Sequence, residues 1–394
     1  MRSRRAWIGA MSLAQLVSWG SLFYTFSLLM PALESGLGLT RVQVSGAFSA
    51  ALLSMGVAGW SVGRLIDAGH GRAVMAGGSL AAGLLLLAHA AVDGALGLYL
   101  VWIGLGAAMA ATLYEPAFAI LIRRWPGDYR RALIAMTFLG GLASTVFIPL
   151  SALLIERLGW RGACAALGAL HLLLCLPIHL RMLAGEPPGV AGADGARAAS
   201  DELRRLARSP AFLLITAFTA ILMGFTGAIS AHMVPLLRER GLSDAWSIAV
   251  PASIGAMQVL GRLALFVLEG RIEPRRLDRV VPLLLPAAVV LLLVGGSSPA
   301  AALAFAACFG IANGLITIVK ATAVAEYVSR RRVAALTGLQ APPAAAARAA
   351  GPVLLAALWS ATGDYRLGLW TLVALGSFAV LLLRAAQTRA LPQP

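Results

Sequence analysis

The sequence predicts an all-α membrane protein: twelve transmembrane helices in two six-helix pseudo-repeat bundles. Composition comes first. Of 394 residues, 59% are hydrophobic and 12% charged, with mean hydropathy +0.83, against about 45–50% and about 25% in an ordinary soluble domain. So few charges cannot cover the surface of a soluble chain this long. Second, apolar runs of spanning length recur from end to end. Third, small motifs repeat at an offset close to half the length.

A spanning helix needs about 20 apolar residues. Residues 280–319 carry no charge and are broken midway by Gly295-Gly296-Ser297-Ser298-Pro299, as a tight turn between two helices requires. The same test predicts spans at 7–33, 42–62, 73–92, 95–121, 132–156, 161–180, 211–236, 245–268, 278–295, 299–322, 334–358 and 365–384. Arg2, Arg4 and Arg5 precede the first run in the manner of a signal peptide. That run is too long for one and eleven others follow, so no cleavage is expected.

Basic residues set the expected orientation. With the N-terminus inside, 23 of the 32 basic residues fall in cytoplasmic segments, 6 in outer connections, and three within spans. Both termini are therefore expected in the cytoplasm of a bacterial inner-membrane protein. The same asymmetry accounts for a net charge of +15, so no nucleic-acid partner is called for. Cys164, Cys175 and Cys308 lie in apolar stretches without metal-ligand spacing and read as small buried hydrophobes.

The expected domains are a six-helix bundle over 1–180, a cytoplasmic linker over 181–210 and a second six-helix bundle over 211–394. In the linker, Ser200 suits the cap of a short helix opening with Asp201 and Glu202. Gly63-Arg64-Leu65 recurs as Gly261-Arg262-Leu263, Gly106 answers Gly310, and Arg161 answers Arg366, at offsets of 198, 204 and 205. A parallel repeat of this kind is a known carrier architecture, with the solute site near mid-membrane between repeats. Gly56, Gly59 and Gly63 have close-packing spacing and read as structural.

Gly63-Arg64-Leu65-Ile66-Asp67-Ala68-Gly69-His70-Gly71-Arg72 resembles the loop between spans two and three of the major facilitator superfamily. Gly63, Asp67 and Arg72 match its pattern, Ala68 replaces a usual basic residue and His70 a usual Gly. The resemblance implies a conformational latch built from Gly63, Asp67 and Arg72. Tyr24-Thr25-Phe26-Ser27, Ser45-Gly46-Ala47-Phe48-Ser49, Thr112-Leu113-Tyr114-Glu115-Pro116-Ala117-Phe118 and Ala312-Asn313-Gly314-Leu315-Ile316-Thr317-Ile318-Val319-Lys320 resemble bacterial relatives of the monocarboxylate transporters and oxalate–formate exchangers. In that family an Arg in span eight, four residues after an Asp, serves the substrate carboxylate and proton coupling. Arg262 fits that Arg, and Gln258 takes the Asp position. A Lys found in span one of those transporters has no counterpart, since residues 15–30 carry no charge.

A charge at a helix centre costs roughly 2.5–3.5 kcal/mol on insertion scales, so such residues normally face a partner or a watery cavity. Glu115, Arg262, Lys320 and Arg348 are the four to weigh, and all lie on spans that the resemblance assigns to the cavity wall. Three cations against one carboxylate make a positive environment suited to an anion. Arg262 and Arg348 are the expected carboxylate ligands, with Lys320, Tyr24, Gln258 and Asn313 as further substrate contacts. The bland reading of Arg262 and Lys320 is a snorkelling or structural cation. Glu115 is a candidate proton carrier or Arg partner, and His232 a proton relay or a helix-packing hydrogen-bond partner. Gln15, Ser18 and Thr25 form a polar stripe on span one that either lines the pore or bonds a neighbouring helix.

No nucleotide-cradling loop, metal cluster or nucleophile–base set is present in the sequence, so neither a cofactor nor an enzyme activity is expected. The expected function is secondary active transport of a small organic anion, most simply a carboxylate, by a monomer working by alternating access with proton or exchange coupling. Two other readings stay open: a drug or metabolite efflux carrier of the same fold, and a non-transporting membrane sensor or assembly partner.

Overall fold

Apolar runs bounded by Gly, Pro and charged turns become helices wherever the bilayer leaves the backbone no other hydrogen-bond partner. The computed structural model describes residues 4–125, 129–185, 203–268, 274–329 and 333–391, and no strand occurs among them. Two compact units are formed. One comprises Met1–Ala191 with Ala231–Pro235, the other Gly192–Ser230 with Leu236–Pro394.

Among the described residues, eleven helices are long and apolar enough to cross a membrane. One of them, Ala143–Met182, has 40 residues, about twice what a ~30 Å hydrocarbon core requires. It reverses at Gly159, whose φ of 67° and ψ of 171° are non-helical and lie where glycine alone is unstrained. The run is thus the end of span five joined to span six, in keeping with twelve predicted spans.

Spans one to four are Arg4–Leu37, Arg41–Asp67, Gly71–His89 and Ala95–Arg124. Span five begins with Tyr129–Gly141 and runs to the turn at Gly159, where span six begins and continues to Met182. The later spans are Pro210–Glu239, Asp244–Leu268, Pro274–Gly295, Pro299–Tyr327, Val333–Thr362 and Arg366–Thr388. Several extend beyond the predicted limits because a helix continues into the interface past its last apolar turn. Ser209 caps span seven by accepting from the Phe212 amide, with Pro210 in the first turn, and Ser298 caps span ten likewise, each satisfying an N–H that the helix itself leaves open. Ser200, Asp201 and Glu202 lie outside the described residues.

Span two packs on span four, and span eight on span ten. A Cβ on Gly106 would come within 2.0 Å of the Ala51 carbonyl oxygen. One on Gly310 would come within 2.8 Å of the Ile254 carbonyl oxygen and 2.6 Å of the Met257 Cβ. The matched glycines therefore do matched work, each letting one backbone lie against the next. Gly59 and Gly63 do not, for nothing stands within 4 Å of a Cβ placed there. Spacing alone misassigned them as packing residues.

Side-chain hydrogen bonds tie the first unit across its helices. The Trp7 indole donates to the Met182 carbonyl (2.8 Å), Ser21 meets His171 (2.7 Å), Ser79 meets His179 (2.8 Å) and Thr25 meets Ser151 (2.8 Å). In lipid such bonds and close packing do what the hydrophobic effect does in water. Large apolar side chains such as Leu173 and Val294, 78% and 79% exposed, form the surface offered to acyl chains.

Candidate functional site

Span eight carries two candidates one turn apart. Gln258 is buried, and its amide nitrogen has no hydrogen-bond partner. Arg262 is half-buried and donates from Nε to the Gly314 carbonyl at 3.3 Å. The Thr317 hydroxyl donates to the same oxygen at 2.8 Å. Gly314 follows Asn313, and a Cβ on Gly314 would come within 2.7 Å of the Gln258 carbonyl oxygen. Gln258, Arg262 and the Asn313-Gly314 step are thus brought together where spans eight and ten touch. Anchoring Nε on a backbone oxygen orients the plane of the guanidinium, the property that distinguishes Arg from Lys as a carboxylate ligand.

Lys320 and Arg348 converge on a different element, span seven. The Lys320 ammonium lies 3.3 Å from the Met223 sulfur. Arg348 packs on Gly227, where an added Cβ would meet its carbonyl oxygen at 2.9 Å and its Cγ at 3.3 Å. Met223 and Gly227 are one turn apart on one face. That face continues through Thr219, whose buried hydroxyl has no partner, to Thr216, which accepts from the Gln340 amide at 3.2 Å. Thr216, Thr219, Met223 and Gly227 were missed by a search for charges. Their helical spacing was the available signal, masked by the high hydropathy of span seven.

The remaining candidates belong to the first unit. Tyr24 closes a π-helical segment, Gly20–Tyr24, in which the Thr25 amide reaches back to the Gly20 carbonyl at 3.1 Å. Insertions of this kind are frequent at functional sites. Tyr24 begins an aromatic chain through Phe23, Trp19, Tyr114 and Phe118, with ring centroids 4.9–5.4 Å apart. Glu115, exposed, stands between the last two rings in sequence. His232 is fully buried and lies 3.3 Å from the Ser45 hydroxyl.

Of the latch residues, Gly63 has open space beside it and the side chain of Asp67 lies outside the described residues. Arg72 donates to the Leu180 carbonyl at 3.0 Å, tying the start of span three to the end of span six. Arg123, which sequence reasoning did not single out, donates to the Ile66 carbonyl at the end of span two.

Comparison with known proteins places the chain in a family. Residues 11–352 match the Major Facilitator Superfamily. A Mycolicibacterium smegmatis protein named MFS-type efflux pump is 29% identical over 304 residues, covering 73% of this chain and 69% of its own. Monocarboxylate transporter 13 of Bos taurus is 30% identical over 375 residues, covering 88% and 84%. The fold is shared with solved structures, two of which follow. A variant of nucleoside transporter NupG matches with TM-score 0.79 at 15% identity, covering 97% of this chain and 99% of its own. A bacterial homologue of the human lysosomal transporter Spinster, inward-facing and unoccupied, matches with TM-score 0.75 at 14% identity, covering 99% and 98%.

Proposed function

Because the chain belongs to the Major Facilitator Superfamily, and so is a multi-pass membrane transporter of small molecules, we propose that its cargo is a small organic anion, a carboxylate, moved by proton- or exchange-coupled alternating access. The carrying observation is electrostatic. Arg262, Lys320 and Arg348 are all on spans of the second unit, and residues 210–237, 245–268, 279–325 and 333–363 contain no Asp or Glu. A cationic trio on stretches of these spans whose sequence holds no acid favours an anion. The 30% identical relative named for monocarboxylates supports the reading. Arg262 and Arg348 are the proposed carboxylate ligands, with Lys320, Gln258, Asn313 and Tyr24 as further contacts, Glu115 and His232 as proton-coupling groups, and Gly63, Asp67 and Arg72 as the latch. Both termini lie in the cytoplasm of a bacterial inner membrane in this reading, on the distribution of basic residues, and the working unit is one chain.

The test is uptake of labelled mono- and dicarboxylates into proteoliposomes under an imposed pH gradient or with counter-substrate inside. Saturable uptake that Arg262→Ala abolishes is the expected result. The relative named as an efflux pump favours a second reading, export of drugs or metabolites. Folded protein that moves no carboxylate but expels a lipophilic cation, with Arg262→Ala and Arg348→Ala still active, decides for that reading.

A further inference from the structure

Spans nine and twelve of the second unit flank a half-open pocket of about 510 Å³ lined by Arg275, Arg279, Arg384, Gln387 and Thr388. Three arginines, an amide and a hydroxyl, with no acid among the described lining residues, form a donor-rich bowl. It is built from behind. The Arg279 Nε donates to the Gln387 side-chain Oε1 at 3.0 Å. The Gln387 amide donates to the Tyr327 hydroxyl at 3.0 Å, and that hydroxyl donates to the Asp278 carboxylate at 2.5 Å. Asp278 is 3% exposed, so the chain of bonds runs from a buried acid to the bowl and holds Gln387 and Arg279 in place.

What occupies such a bowl follows from what lies beside it. Phe378, Leu381, Arg384 and Thr388 recur at helical spacing, so one stripe of span twelve passes from exposed apolar side chains to the bowl. On span nine Leu283 follows Arg275 and Arg279 at the same four-residue step. Phe378 and Leu381 are 52% and 58% exposed, and Leu283 is 40% exposed. A phosphate held by the arginines would therefore continue into acyl chains on these stripes. A free phosphate would use only the upper part.

We propose that this bowl is a binding site for the phosphate of an anionic phospholipid, separate from the solute site and not required for the reading given above. Arginine forks match phosphate oxygens, and basic pockets between spanning helices at the membrane surface are suited to acidic headgroups.

The experiment is native mass spectrometry of the full-length protein in detergent, titrated with phosphatidylglycerol or phosphatidylcholine, beside a thermal-shift titration with inorganic phosphate. The expected result is preferential retention of phosphatidylglycerol, weakened about fivefold by Arg384→Gln and about a hundredfold by Arg275→Gln, Arg279→Gln and Arg384→Gln together, on the scale of one charge per contact. Arg384 is exposed, so its single substitution tests the site should the triple variant not fold. Equal retention of both lipids, or retention of phosphatidylglycerol unchanged by Arg384→Gln, overturns the proposal. So does stabilisation by inorganic phosphate with no retained phosphatidylglycerol, which would assign the bowl to a soluble anion.

Discussion

The Gln15 side chain of span one donates to the Thr112 carbonyl of span four at 2.8 Å and to the Leu113 carbonyl at 3.3 Å. Pro116, four residues beyond Thr112, has no N–H to offer that carbonyl. Span four breaks at Leu113, whose backbone is extended (φ −76°, ψ −161°). Gln15 supplies from a neighbouring helix the donor that proline removes. The polar stripe of span one therefore does the work of helix bonding at Gln15.

Gln15→Leu leaves the Thr112 carbonyl buried without this donor and should destabilise the protein by about 1–3 kcal/mol. Pro116→Ala restores an N–H within span four, so the double variant should recover part of the loss. Unfolding of wild type, both single variants and the double variant in lipid nanodiscs measures the coupling. Strictly additive effects would show that the two residues act independently.

Arg262→Ala should lower carboxylate uptake at least about tenfold, the scale of a charge-assisted hydrogen bond worth ~1.5–3 kcal/mol. Arg262→Lys keeps the charge but lacks the fork and the Nε anchor on Gly314, so its uptake should fall between the two. Concentration dependence in proteoliposomes checks this, and wild-type uptake in Arg262→Ala would remove the residue from the site.

Gly106→Leu and Gly310→Leu should each destabilise by about 1–3 kcal/mol, because a side chain at either position drives a backbone contact apart. Thermal unfolding of the two variants is the check. A loss at one position without the other would break the correspondence between the repeated glycines.

Gly63→Ala meets no atom within 4 Å and replaces a helical glycine, so it should stabilise the fold by about 0.5–1 kcal/mol. If Gly63 serves the latch, transport should fall while the melting temperature rises. Unchanged transport in that variant would leave the glycine without a functional role.

Fold class and span number were legible in the sequence because a bilayer imposes a length and a polarity on every crossing segment, both read one residue at a time. The repeated glycines Gly106 and Gly310 were legible because the same backbone contact is made twice. Partners were not legible. Arg262 reaches Gly314 and Lys320 reaches Met223 across about 50 to 100 residues of chain, and the spacing of charges along one helix carries no record of which neighbour faces it. Gly63, which shares the spacing of a packing glycine, faces open space for the same reason. Solvent therefore dictated the helices through local composition, whereas the pairing of side chains was decided only when those helices packed, since hydrogen bonds between spans depend on register and rotation that tertiary contact alone sets.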